Sequence, residues 1–231
     1  GFFLSIVIAN TFAMTYIFHG ASLNKLISFK KTDLSLRKDI LNYSFPLMPA
    51  RTSWWFNNYS NKYIVANFSG IAELGLFAAA SKIPSILITF QGIFIQAWEL
   101  SALKEFDKKD GAIFFTKIYD SYNFILLIGC SFLIMMVKPI SFLLFGPEFR
   151  IAWKLVPFLL IAVIFGGMIG FFNTINMAKK KTKSLIHPVI TGAIIGIVLN
   201  LIFVPKYGAI AASVSVLISY FIIWLIRLID A

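Results

Sequence analysis

Long apolar runs separated by short basic connections constrain this chain more than any other feature. Mostly apolar stretches occupy residues 1–20, 40–68, 73–103, 112–137, 153–177, 184–204 and 208–229. A helix rises about 1.5 Å per residue and the hydrocarbon core of a bilayer is about 30 Å thick, so about 20 such residues cross it. Backbone that crosses hydrocarbon must pair internally, which makes each run a helix. Composition agrees: 59% of the 231 residues are hydrophobic and 13% are charged, whereas a soluble domain carries about 25% charged residues. A water-soluble core cannot absorb that excess, because a chain of this size still exposes much of its surface. The expected fold class is therefore all-α, a polytopic membrane helix bundle of about seven transmembrane helices.

Punctuation between the runs supports this division. Phe68-Ser69-Gly70 closes one helix on a glycine, and Val204-Pro205-Lys206-Tyr207-Gly208 ends another at its proline and starts the next. Around 138–150, Lys138, Pro139, Gly146, Pro147 and Glu148 punctuate a short apolar run, which leaves a re-entrant segment as an alternative to a loop. Gly1 opens the chain inside an apolar stretch with no basic n-region before it, so the first run reads as a spanning helix whose partners precede it. The basic loop at 22–39 sets orientation, since Lys and Arg favour the cytoplasmic side of short loops. Placing it inside puts fourteen Lys and Arg on the cytoplasmic side and five outside (Lys62, Lys138, Arg150, Lys154 and Lys206), with Arg51 and Lys82 left within the membrane. The C-terminus then faces the cytoplasm. The net charge of +11 is spread over these loops, which fits anionic lipid better than nucleic acid.

Polar residues inside the runs carry the functional information. In the second run Arg51, Trp55, Asn58 and Lys62 recur at steps of four, three and four, on one helix face. This helix begins near Asp39 and is interrupted by Pro46 and Pro49; measured along it from Asp39, Arg51 lies about 17 Å deep, near the bilayer centre. An arginine facing lipid there costs about 2.5–3.5 kcal/mol, so a wet or protein-lined interior is the economical setting. In the third run Lys82, Ser85, Thr89, Gly92, Gln96 and Glu99 form one polar stripe, about 26 Å long. A hydrated cavity accommodates that stripe more cheaply than lipid, and better than a dry helix interface, which needs no charges. Lys62 and Glu99 lie toward helix ends, where snorkelling to the surface is the alternative. Lys82 has the alternative of pairing with a carboxylate on another helix. Asp120 and Asn123 read as an ion site or as solvated residues near the inner face. Gly166, Gly167 and Gly170, and Gly192 with Gly196, read as close helix packing.

Catalytic motifs are missing. Cys130 is the only cysteine, and His19 and His187 have no partner at metal-ligand spacing. There is no glycine-rich phosphate loop, nucleophile elbow or HExxH. No cofactor, no metal and no enzymatic activity is expected.

Several segments resemble a known family. They are Tyr43-Ser44-Phe45-Pro46-Leu47-Met48-Pro49 with Trp54-Trp55 and Asn61-Lys62-Tyr63-Ile64, and Leu74 through Pro84 ending in Gln96-Ala97-Trp98. Lys138-Pro139 with Leu144-Phe145-Gly146, and Asn200 through Pro205-Lys206-Tyr207-Gly208-Ala209 to Ser219-Tyr220, complete the set. In this order they resemble the C-terminal lobe of the O-antigen and capsular polysaccharide flippases, in the multidrug/oligosaccharidyl-lipid/polysaccharide exporter superfamily. The resemblance implies a V-shaped pair of six-helix lobes. Residues 1–21 would be the last helix of the first lobe, 22–37 the cytoplasmic inter-lobe linker and 38–231 the second lobe. One feature departs: relatives often have Asp-Arg where this chain has Asn61-Lys62.

The same resemblance implies transport of a polyprenyl-diphosphate-linked oligosaccharide across the cytoplasmic membrane for O-antigen, capsule or exopolysaccharide biosynthesis. Its expected partners are that lipid-linked substrate, membrane lipid, and a glycan polymerase and chain-length protein. Arg51, Lys62 and Lys82 would then hold the diphosphate, Asn58, Thr89 and Gln96 the sugar hydroxyls, and Glu99 or Asp120 a coupling cation. A cation-coupled multidrug-type antiporter of the same fold and a membrane glycan polymerase are the competing readings.

Overall fold

The computed structural model describes residues 2–20, 34–45, 47–105, 111–179 and 182–230. All the regular structure among them is helical. In chain order the α-helices are α1 (Phe2–Gly20), α2 (Leu34–Ser44), α3 (Leu47–Ala80), α4 (Lys82–Glu105), α5 (Gly111–Met135), α6 (Val137–Leu144), α7 (Val156–Ala178) and α8 (Ile186–Asp230). Short 3-10 helices at Pro147–Lys154 and Thr182–Leu185 precede α7 and α8. Five of these helices, in α3, α4, α5, α7 and α8, are long and apolar enough to cross a membrane. The fold is the expected all-α, polytopic membrane bundle. The chain divides into two compact units, residues 1–41 and 42–231. In the first, α1 returns its polar groups to its own backbone: Thr11 and Thr15 each donate to the carbonyl four residues back.

The 45 residues of α8 would extend about 67 Å if straight, more than twice the hydrocarbon thickness. They fold back instead. Gly208 adopts φ 60° and ψ −141°, a left-handed conformation open to glycine and costly for other residues, and the chain reverses there. Pro205 remains inside the first half, so the reversal comes three residues later than the proline alone suggests. The two halves lie antiparallel. Ser219 Oγ donates to the Gly192 carbonyl at 2.6 Å, and the buried Arg227 guanidinium donates to the Ser184 and Leu185 carbonyls at 2.9 and 3.0 Å. Close approach requires Gly192, since a Cβ there would run into Ile223.

The second reversal is at Gly70, with φ 89° and ψ 172°. Beyond it the helical ladder continues from the end of α3 into α4: Ser81 N–H donates to Phe77 and Ser85 N–H to Ser81. The turn at Ser81 and Pro84, which has no N–H, mark the junction. The third apolar run is thus one path from residue 71 to 105, as the glycine signal indicated. The two reversals clasp each other. Ser69 Oγ donates to the Val204 carbonyl at 3.0 Å, and Glu73 Oε2 accepts the Ala209 N–H at 2.8 Å. The carboxylate thereby caps the N-terminus of the returning half of α8, where orphan N–H groups favour negative charge.

The second run, 40–68, breaks at the first of the two prolines that interrupt it: α2 starts within the stretch assigned to the linker and stops at Ser44, ahead of Phe45-Pro46, because the residue before proline is driven out of the helical region. One expectation needs correction: Arg51 sits about 6 Å from the start of α3 rather than about 17 Å along a helix from Asp39. The stretch 138–150, expected as a connection, holds α6 and part of a 3-10 helix.

The core of the second unit gathers α4, α5 and α7. Trp98 stacks on Phe171 with centroids 4.5 Å apart, and Phe94 on Tyr122 at 4.1 Å. On α8, Asn200 is fully buried and donates to Asn61 Oδ1 of α3 and to the Gly196 carbonyl at 2.6 and 2.7 Å. Such interhelical bonds are worth about 0.6–2 kcal/mol in a membrane. Opposite responses to one substitution test this packing. Gly192→Ala is expected to destabilise by about 1–3 kcal/mol through overpacking. Gly92→Ala, with nothing within 4 Å of the added methyl, is expected to be neutral or stabilising by up to about 1 kcal/mol. Unfolding of the purified protein in a denaturing-detergent titration reads both.

Candidate functional site

A cavity of about 590 Å³ opens between α3, α4, α7 and α8. On α7 the lining is Leu159, Ala162 and Val163 with Gly166, Gly167 and Gly170, so half of that wall carries no side chain beyond Cα. Across from them, Ser81, Pro84, Ile88, Gln91 and Ile95 of the α3–α4 path present one arc at steps of three and four. Gln91 is held there by donating Nε2 to the Val163 carbonyl at 2.8 Å. Gly167 is the reason it fits, since a Cβ at that position would lie 2.6 Å from Gln91 Nε2 and 2.8 Å from Tyr122 Oη. From α3 come Tyr59, Asn61 and Lys62, and from α8 Val216 and Tyr220.

Lys62 is the charged group of this lining. Its Nζ stands 5.4 Å from the Tyr59 ring centroid, a cation–π distance. Measured back from the Gly70 reversal, Lys62 lies about 12 Å along α3. No carboxylate appears among the described lining residues. The described residues also contain no cluster of three or more His, Cys, Asp and Glu that could hold a metal ion. The cavity offers one ammonium, amides and hydroxyls, a set suited to an anion flanked by neutral polar groups.

The polar stripe of α4 lies next to this cavity. Lys82, Ser85, Thr89, Gly92, Gln96 and Glu99 are all exposed. At 3.6 residues per turn their centre lies about 160° from the buried face of Ile83, Leu87, Trp98 and Ala102. The cavity arc falls between the two, and Gly92 belongs to both stripe and cavity. On the far side of the stripe Ile86, Phe90 and Ile93 make an exposed apolar arc. Within the stripe the hydroxyls are turned to their own helix: Ser85 Oγ donates to the Lys82 carbonyl at 2.6 Å and Thr89 Oγ1 to the Ser85 carbonyl at 2.9 Å. Their oxygens can still accept.

Of the residues singled out from sequence, Lys62 lines the cavity. Lys82 follows directly on the lining Ser81, about 18 Å from the Gly70 reversal. Thr89 and Gln96 stand on the adjacent stripe. Glu99 continues that stripe toward the other end of α4, and Asp120 is exposed on α5, outside the cavity lining. Arg51 and Asn58 belong to α3, but their side chains lie outside the described residues. Gln91, Tyr220 and the glycine wall were not identified as site residues. Their signal was the arc from Ser81 to Ile95 facing a helix with three glycines, a pattern that reads equally as tight packing. The chain matches no family model, no curated protein and no solved structure.

Water access distinguishes the arcs of α4. With cysteine introduced singly, Ser85→Cys, Thr89→Cys and Gln96→Cys are expected to react with a hydrophilic maleimide in intact membranes. Ile86→Cys, Phe90→Cys and Ile93→Cys are expected to react at least about tenfold more slowly, because thiolate formation is suppressed in apolar surroundings. Equal protection of both sets would place the stripe in lipid.

Proposed function

We propose that this protein is a flippase, a transporter rather than an enzyme, that carries a polyprenyl-diphosphate-linked oligosaccharide across the cytoplasmic membrane. The observation that carries this reading is a cavity of about 590 Å³ within a bundle of apolar helices, lined by Lys62 and by Gly92, which also belongs to the polar stripe of α4. Such a substrate keeps its isoprenoid tail in lipid while a dianionic head and a polar glycan cross hydrocarbon. Isolated charges resist that transfer by tens of kcal/mol in the Born limit, so the path must supply counter-charge and hydrogen bonds. Lys62 and Lys82 supply the charge and Arg51 adds to it from the first turns of α3. Gln91, Gln96, Asn58 and Thr89 supply partners for sugar hydroxyls. Alternation of access by rocking of helical lobes fits a site at the bilayer midplane.

The absence of carboxylates from the described lining disfavours an antiporter for organic cations, whose pocket needs negative charge. A role in O-antigen or capsule assembly, a cytoplasmic C-terminus, and work alongside a glycan polymerase and chain-length protein belong to the same proposal. Glu99 and Asp120 stand outside the cavity, so any coupling cation they bind acts from the α4 stripe or from α5.

Replacement of Lys62, Lys82 and Arg51 by alanine, singly, in the protein as the cell makes it is the test. Each variant is expected to lower the rate at which the lipid-linked intermediate reaches the outer leaflet by at least about tenfold, the effect of losing about 1.4 kcal/mol of charge stabilisation. Lys62→Arg is expected to retain most of it. Normal flipping by all three alanine variants at normal expression defeats the proposal, and intact flipping with failed polymerisation points to the polymerase.

A further inference from the structure

The segment between α5 and α7 has a construction of its own. α6 is eight residues long, about 12 Å, far too short to span. It buries Val137 and Ser141 against the bundle, and the following 3-10 helix buries Ala152. The outward side is strongly apolar: Phe142, Leu143 and Leu144 are 64%, 84% and 61% exposed and Ile151 is 50% exposed. Three cations flank this apolar tip, Lys138, Arg150 and Lys154, against one carboxylate, Glu148. Two of them sit over aromatic rings. The Arg150 guanidinium lies 3.8 Å from the Phe142 centroid, and Lys138 Nζ lies 4.7 Å from that of Trp153. Arg150 Nε is buried and has no hydrogen-bond partner.

We infer that residues 137–154 form an interfacial foot that lies in one leaflet and binds the headgroups of anionic phospholipids. An exposed apolar tip beside aromatic rings that carry cations combines the chemistries that meet acyl chain, interface and phosphate across half a bilayer. Held over the rings, the cations are pre-positioned beside the apolar tip, where charge-assisted bonds to phosphate oxygens can form. This reading is independent of what the protein transports.

The complete protein in nanodiscs tests it, in a Cys130→Ala background that removes the only native thiol. A nitroxide on Leu143→Cys is expected about 5–10 Å below the phosphates, protected from a water-soluble relaxation agent and accessible to oxygen. Ile151→Cys gives a second, independent position with the same expectation. Lys138→Gln, Arg150→Gln and Lys154→Gln change exposed or half-buried side chains, and circular dichroism checks that the helices persist. Each is expected to weaken retention of phosphatidylglycerol relative to phosphatidylcholine by about fivefold. Labels in water or at the bilayer midplane would overturn the inference, and so would an unchanged lipid preference in the triple variant.

Discussion

The rotational setting of α4 decides what the rest of this protein can be. Trp98 stacked on Phe171, Phe94 stacked on Tyr122, and Gln91 bonded to the Val163 carbonyl pin the helix against α5 and α7. A rotation of half a turn would drive Lys82, Gln96 and Glu99 into that aromatic core, where unpaired charge is prohibitively costly. With the aromatic face fixed, the polar stripe must look away from the bundle and the Ser81–Ile95 arc must look toward α7. The cavity and the stripe are therefore consequences of one packing decision.

The glycines of α7 complete it. Small residues in membrane helices ordinarily bring backbones together. Here Gly167 admits the ends of Gln91 and Tyr122 instead, Gly166 lets the Tyr220 ring come close, and Gly170 faces Ile95. This glycine-bearing wall and a lysine beside a neighbouring tyrosine give the cavity its character: partly polar and positively charged. That character motivates the transport proposal.

At the end of the bundle carrying Gly70 and Gly208, stability comes from another source. Two chain reversals meet, and each supplies the hydrogen-bond partner the other lacks: a hydroxyl for the Val204 carbonyl and a carboxylate for the Ala209 N–H. Within a membrane this mutual satisfaction matters more than in water, because no solvent stands ready to replace a missing partner. The clasp joins α3 to α8 at one end. The Asn61–Asn200 bond joins them further along.

The apolar runs, their lengths and the glycines that end them determined the class of fold, since hydrocarbon thickness and backbone pairing allow one solution. The period of three and four from Lys82 to Glu99 determined that these residues share a face. Periodicity could not say what that face looks at, because a stripe has no sense of direction until a second helix touches the opposite side. Pro46 and Pro49 marked an interruption in the second run, but whether a proline kinks a helix or ends it depends on what packs around it, so the restart that puts Arg51 near the beginning of α3 was not legible. Gln91 stayed hidden among apolar neighbours for a related reason: whether a glycine-bearing helix packs tightly or leaves a cavity depends on the side chains that meet it, and only tertiary structure brings them together.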